Sequence, residues 1–288
     1  MILEQLKQTD LPLIIQNALN EDIGEGDHSS LACVPENAQG KAKLIIKDKG
    51  IIAGIELAQF IFETYDKKLN FNKFIDDGTE VEHGQIAFEV SGSSRSILAT
   101  ERLVLNFMQR MSGIATQTNR IVKKIEGSKS KLLDTRKTTP GIRLLEKWAV
   151  LIGGGHNHRF ALYDMIMLKD NHIDYAGGIT NAITRTEAYL KQINKNLKVE
   201  IEVRNMDELK EVLSVGKVDR IMLDNFSPSQ IQDALKIIPS QFEVEASGGI
   251  TIDTIHEYAA TNVDFISVGA LTHSFKSLDM SLKADFEI

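Results

Sequence analysis

The sequence predicts an α/β chain: a TIM-like α/β barrel preceded by an α+β domain. From about residue 131 onward, short apolar, β-branched runs alternate with helical patterns, the signature of βα units around a parallel sheet. Polar or glycine-rich residues follow those runs, at the C-terminal strand ends where TIM-type barrels keep their active sites. Before residue 131 this alternation is lost. At 288 residues the chain has room for one barrel and a smaller companion.

In chain order, the first domain reads as a capped N-terminal helix, strand-like runs at 42–47 and 51–52, a helix near 55–65, and further strand-like runs near 71–75 and 86–90. A long amphipathic stretch at 94–125, interrupted at Ser112-Gly113, leads into the barrel. Barrel strands are expected at 131–133, 164–168, 199–203, 219–223, 242–245 and 264–268. Helix starts are expected at Thr139 before Pro140, Asp207 before Glu208-Leu209, Ser227 before Pro228, and Thr251 before Ile252-Asp253. The strand-like alternation of 278–288 suggests a return to pair with the first domain.

Composition narrows the function classes. With 33 basic and 40 acidic residues the net charge is -7, which speaks against a nucleic-acid surface. No apolar run approaches the roughly 18 residues that cross a membrane, and the N-terminus lacks a basic region followed by an apolar core. Cys33 is the only cysteine, which excludes an intrachain disulfide and a thiolate metal cluster and fits a reducing compartment, so a cytoplasmic location is expected.

Between residues 134 and 172 the charge balance reverses, with six Lys and Arg against four acids. Asp134-Thr135-Arg136-Lys137-Thr138, then Gly153-Gly154-Gly155-His156-Asn157-His158-Arg159, then Lys169-Asp170-Asn171-His172 carry the cluster. Guanidinium forks and ammonium groups beside glycine-rich backbone replace the hydration of carboxylates and phosphates, so a small, highly anionic ligand is expected there. Thr135, Thr138 and Thr139 read as turn and cap groups, since nothing resembles a nucleophile elbow.

Ser247-Gly248-Gly249-Ile250-Thr251 follows an apolar run and, opening a helix, offers backbone N–H groups and a helix N-terminus to a phosphate. Gly269 ends the next strand, and the pair matches the phosphate site many barrels build after strands seven and eight. Tight turns that need glycine are the alternative. Glu202 and Asp224 end consecutive strands, an arrangement suited to Mg²⁺ held through carboxylates and substrate oxygens, or to ribose contact. Helix caps or salt-bridge partners are the other reading of two such acids. His156, His158 and His172 lack the compact spacing of a zinc protease helix.

These motifs, with Glu21-Asp22-Ile23-Gly24, Gly26-Asp27, Ala99-Thr100-Glu101-Arg102, Leu105-Asn106, Ser112-Gly113-Ile114-Ala115-Thr116, Leu223-Asp224-Asn225 and Ala246-Ser247-Gly248-Gly249-Ile250, occur in an order that closely resembles the quinolinate phosphoribosyltransferase family over nearly the whole chain. The resemblance implies an N-terminal α/β sandwich (1–112, joined by 273–288) and an incomplete, seven-stranded α/β barrel (113–272). It implies a homodimer with shared active sites, or a higher homo-oligomer built from it, with neither nucleic acid nor membrane as partner. The implied reaction converts quinolinate and phosphoribosyl pyrophosphate to nicotinate mononucleotide, carbon dioxide and pyrophosphate, with Mg²⁺, in NAD biosynthesis.

Carried over by motif, Arg136, Lys137, His158, Arg159 and Lys169 would line the quinolinate pocket, Thr135 would be a further substrate-binding residue, and Arg102 would reach in from the neighbouring subunit. Glu202 and Asp224 would face the ribose and the metal, while Ser247, Gly248, Gly249 and Gly269 would hold the 5′-phosphate. Lys137, Lys169, Glu202 and Asp224 would be catalytic, with Lys137 or solvent as proton donor after decarboxylation. Ala161 departs from the family, which has glycine there. A paralogue acting on another anionic ring, as in molybdenum-transport-associated relatives, and a catalytically silent subunit remain as alternatives.

Overall fold

The structure, a computed structural model, describes residues 2–284. The chain forms two compact units, one from the chain up to Asn119 with Thr138–Gly154 and the chain from Leu271, the other from Arg120–Lys137 and Gly155–Ala270. Among the described residues no helix is long and apolar enough to cross a membrane.

The first unit begins with α1 (Ile2–Leu6), α2 (Leu11–Ile23) and α3 (His28–Cys33). Leu11, Ile15 and Leu19 recur at helical spacing and form the buried stripe of α2. Asp27 caps α3 by accepting the backbone N–H groups of Ser29 and Ser30 at 3.1 and 3.2 Å. Then come β1 (Gln39–Ile46), β2 (Gly50–Ile51), α4 (Ile55–Tyr65), β3 (Asn70–Lys73), β4 (Glu80–Val81), β5 (Ile86–Ser93) and α5 (Ser94–Lys124).

The expected break at Ser112-Gly113 does not occur, because α5 runs through it. Both residues serve packing. Ser112 Oγ accepts from Ala53 N at 2.9 Å, and Thr116 Oγ1, one turn later, accepts from Ile51 N at 2.9 Å, so helix hydroxyls satisfy a buried stretch of extended backbone. A Cβ on Gly113 would lie 2.9 Å from Ser277 Cα, so glycine here admits a crossing chain.

The second unit holds six parallel strands: β6 (Lys131–Leu133), then, beyond α6 (Arg143–Ile152), β7 (Ile166–Leu168), β8 (Val199–Val203), β9 (Arg220–Asp224), β10 (Glu243–Ser247) and β11 (Phe265–Ser267). Their order is β6-β11-β10-β9-β8-β7. A seventh strand position survives as one parallel bridge between Leu133 and His156. The His156 segment and β7 stand at the two edges, so the barrel is open between them.

Several boundaries move for identifiable reasons. Helix α6 starts at Arg143 rather than Pro140, because Gly141 has φ of 84° and cannot join a right-handed helix. The helix Met206–Val215 is capped by Asn205, whose side chain accepts from Asp207 N and Glu208 N at 3.0 Å each, placing Asp207 inside the first turn. Ser227 caps the helix Pro228–Ile237 as expected, with Gln230 closing the capping box. After β10 the next helix covers only Ile255–Ala259, because residues 251–254 form a turn in which Thr254 Oγ1 accepts from Thr251 N at 3.1 Å. Asp164 precedes its strand, its carboxylate accepting from Phe160 N and Ala161 N at 2.6 and 2.7 Å.

At the C-terminal end of the chain a last strand (Met280–Ala284) pairs antiparallel with β1, Ala42 facing Ala284, at the edge of the sheet that continues through β5 to β3. Residues 285–288 of the expected run lie outside the described residues.

Candidate active site

Strand alternation within the second unit puts Glu200 and Glu202, Arg220, Met222 and Asp224, and Glu243, Glu245 and Ser247 on one face. Register aligns them in rows: Glu200 with Arg220 and Glu243, Glu202 with Met222 and Glu245, Asp224 with Ser247. Glu202, Asp224 and Ser247 carry the rim chemistry, and Glu200, Arg220 and Glu245 carry buried charge.

At the rim, Lys169 Nζ lies 3.1 Å from Glu202 Oε2. Burial pushes the Glu202 carboxyl above its ordinary value; Lys169 opposes this, while the charges of Asp224 and Asp170 add to it. Burial likewise raises Asp224, against Lys169 and a hydrogen bond from Asn225 Nδ2 at 2.6 Å. Lys169 is fixed from the backbone, where His172 Nδ1 accepts its N–H at 3.0 Å.

Lys137, in the loop after β6, is close enough to Asp224 for its charge to lower that carboxyl's pKa, while Arg136 of the same loop lies near Arg159 of the 155–159 arm. Arg159 is half-buried and its Nη1 donates to Met165 O at 3.3 Å. Burial and then the like charge of Arg136 lower its pKa, so two guanidinium groups share one neighbourhood, an arrangement stabilised by a bound anion. Lys137 is exposed, and its N–H is taken by Thr135 Oγ1 at 3.0 Å, a turn contact as the sequence suggested.

His158 is placed differently from its neighbours. It is buried, with Nε2 3.0 Å from Glu200 Oε2 and 3.3 Å from Glu245 Oε2. Its N–H donates to the buried Asp134 Oδ1 at 2.8 Å, and Nδ1 accepts from Arg159 N at 2.6 Å. Both ring nitrogens thus face protein groups, and the ring orients the arm that carries Arg159. Burial alone would lower the His158 pKa, but the two carboxylates raise it to about 9. The same burial raises Glu200. His158 therefore holds its proton between the two carboxylates, and the charge of Glu245 adds to burial in raising Glu200.

His158, Glu200 and Glu245 have the composition of a metal site, with ligand atoms within 4.8 Å of one another. Arg220 already supplies the cation: its Nη1 lies 3.1 Å from Glu245 and 3.9 Å from Glu200, its Nη2 3.0 Å from Glu243, and its guanidinium stacks 4.0 Å over Phe265. Sequence reasoning missed this network. The available signal was the recurrence of charged residues at alternate positions of otherwise apolar strands, Glu200 and Glu202, Arg220 and Asp224, Glu243 and Glu245.

The phosphate loop also departs from expectation. The following helix begins at Ile255, so Ser247, Gly248 and Gly249 do not open a helix. Gly248 and Gly249 instead take φ of 97° and 62°, successive left-handed glycines whose N–H groups can converge on an anion. Gly269 ends the loop after β11, just before the short helix Ala270–His273.

In the first unit, Arg102 is exposed on α5 and has no hydrogen-bond or ion-pair partner among the described residues. Gly153, the first glycine before the arm, is a packing residue, since a Cβ there would lie 2.5 Å from Ala115 O and 2.7 Å from Thr118 Cβ. Away from the rim, a cavity of about 400 Å³ lined by residues including Thr186, Leu190 and Lys195 meets the start of β8, and Glu187 neutralises its Lys191 and Lys217.

Comparison with known proteins matches this arrangement over almost the full length. Residues 27–112 match the family model described as quinolinate phosphoribosyl transferase, N-terminal domain, and residues 114–283 the corresponding C-terminal domain. A chloroplastic nicotinate-nucleotide pyrophosphorylase [carboxylating] of Arabidopsis thaliana is 46% identical across 97% of this chain and 84% of its own. The crystal structure of NadC from Streptococcus pyogenes superposes with a TM-score of 0.89 at 40% identity, covering 97% of this chain and 95% of that one. The nicotinate-nucleotide pyrophosphorylase from Francisella tularensis gives 0.87 at 41% identity, covering 96% of each. The chain belongs to the quinolinate phosphoribosyltransferase family.

Proposed function

We propose that this protein transfers the phosphoribosyl group of phosphoribosyl pyrophosphate to quinolinate and releases carbon dioxide and pyrophosphate, forming nicotinate mononucleotide for NAD biosynthesis. The observation that carries the proposal is a strand-end rim of the second unit on which Lys169 lies 3.1 Å from Glu202 with Asp224 close by, in a unit where the Arg136 and Arg159 guanidinium groups also share one neighbourhood. Quinolinate presents two adjacent carboxylates, which match paired cations; the ribosyl carbon becomes positive in the transition state, which matches paired carboxylates.

In this scheme the pyridine nitrogen bonds to the anomeric carbon as the bond from that carbon to pyrophosphate breaks, its electron pair leaving with the pyrophosphate oxygen. Glu202 and Asp224 stabilise the positive charge that develops on the sugar during this exchange. Two half-buried carboxylates on adjacent strands would suit a divalent cation, and Mg²⁺ held there would neutralise the leaving group. The ribosylated ring is a pyridinium. The bond to the carboxylate beside the nitrogen then breaks, carbon dioxide departs, and the electron pair stays on the ring carbon, which takes a proton from Lys137 or water. Arg136, Arg159 and Lys169 hold the substrate carboxylates, and the Gly248-Gly249 backbone holds the 5′-phosphate.

Incubation with quinolinate, phosphoribosyl pyrophosphate and Mg²⁺ should give pyrophosphate and nicotinate mononucleotide in equal amounts; an intact protein that forms neither would overturn the proposal. Arg102, exposed and unpartnered, suits a site shared between two subunits of a homodimer. Mixing inactive Arg102→Ala subunits with inactive Lys169→Ala subunits should then restore activity, and no recovery after verified exchange counts against sharing. The lone, exposed Cys33 supports a cytoplasmic assignment, which fractionation of the source cells would check.

A further inference from the structure

We propose that Asn225 is a positioning residue that fixes the phosphate loop against the Asp224 carboxylate, holding the two ends of the phosphoribosyl group at one separation. The inference rests on the assignment of Asp224 to the ribose side and of Ser247, Gly248 and Gly249 to the 5′-phosphate.

Asn225 follows β9 and takes a left-handed φ of 56°, a conformation that asparagine tolerates better than other side-chain-bearing residues. That turn sends its groups in two directions. Nδ2 donates to Asp224 Oδ2 at 2.6 Å, while the backbone N–H donates to Ser247 O at 2.9 Å. The next residue of the loop is pressed onto the same side chain: a Cβ on Gly248 would collide with Asn225 Oδ1 and lie 2.6 Å from its Cγ and 2.8 Å from its backbone N. Gly248 is therefore glycine for two reasons, its φ of 97° and the asparagine beneath it.

Asp224 and Ser247 are already register partners on adjacent strands. Sheet pairing fixes their Cα atoms but not the carboxylate or the loop beyond Ser247. Asn225 supplies both missing constraints, one through its amide and one through its shape. The sugar carbon and the 5′-phosphate of the substrate are joined by a few bonds, so a site that recognises both must hold its two halves rigidly.

Two substitutions that keep the left-handed turn separate positioning from simple turn formation. Asn225→Gly retains the φ and the N–H to Ser247 but deletes the amide. Asn225→Asp retains the shape but replaces the donor to Asp224 with a second negative charge. In both, KM for phosphoribosyl pyrophosphate should rise by about tenfold or more while KM for quinolinate stays within about twofold and the melting temperature stays near that of the parent. If Asn225→Gly leaves KM for phosphoribosyl pyrophosphate unchanged, the residue is only a turn former and the inference fails. Equal rises in both KM values would also overturn it. Calorimetry with ribose 5-phosphate keeps the inference distinct from the activity: weaker binding by Asn225→Gly than by the parent supports positioning even if quinolinate is not turned over, and equal binding refutes it.

Discussion

His158 Nε2 lies 3.0 Å from Glu200 Oε2, an imidazole and a carboxylate both buried inside an open barrel. Glu245 at 3.3 Å and Arg220 complete a network of four charged or chargeable groups beneath the rim. Its arrangement makes the His158-Arg159 arm depend on groups that touch no substrate.

Removing the cation tests that dependence. Arg220→Met removes one of the two cations, with His158, that face Glu200 and Glu245 and should destabilise the protein by roughly 3–5 kcal/mol in denaturant unfolding, the scale for a broken buried ion pair. Adding Glu245→Gln should recover part of the loss. A single variant as stable as the parent would show that the network carries little energy.

A pH effect on stability is expected in the first unit. The Asp77 carboxylate accepts from Ile55 N at 2.8 Å and Glu56 N at 3.3 Å, capping α4 from a distance of about twenty residues in sequence. Burial raises its pKa to about 6 from 3.8, despite those hydrogen bonds and although part of the residue reaches solvent. The folded chain therefore keeps a proton that the unfolded chain releases, and this contribution to stability, at most roughly 3 kcal/mol, is lost as pH rises from about 4 to about 6. Asp77→Asn keeps an acceptor for the helix and should flatten that part of the stability profile. An unchanged slope would contradict the assignment to Asp77.

Arg159 provides a binding prediction. If its guanidinium holds a substrate carboxylate out of water, Arg159→Ala should weaken quinolinate binding by roughly 2–5 kcal/mol in calorimetry. Affinity for phosphoribosyl pyrophosphate should change far less.

Much of the barrel was legible because its strands are short apolar runs with little competing pattern; 131–133 and 199–203 match β6 and β8 residue for residue. The cation cluster was legible because it reverses the sign of an acidic chain. What escaped depends on three-dimensional packing. Gly113 looks like a helix break, yet it lies inside α5 where another chain segment crosses. Thr251 looks like a cap, yet the chain makes one more turn before the helix. His158 reads as one more cation of the cluster, and only the strand register shows two glutamates waiting for its ring. Alternation hinted at those glutamates but not at their partners.

The central claim concerns which bond the rim breaks. Quinolinate labelled with carbon-13 in the carboxylate beside the ring nitrogen should, with phosphoribosyl pyrophosphate and Mg²⁺, deliver its label to carbon dioxide as nicotinate mononucleotide forms. The other carboxylate, labelled in a parallel sample, should stay on the nucleotide. Unlabelled carbon dioxide in the first sample, or a nucleotide that keeps both carboxylates, would contradict the account.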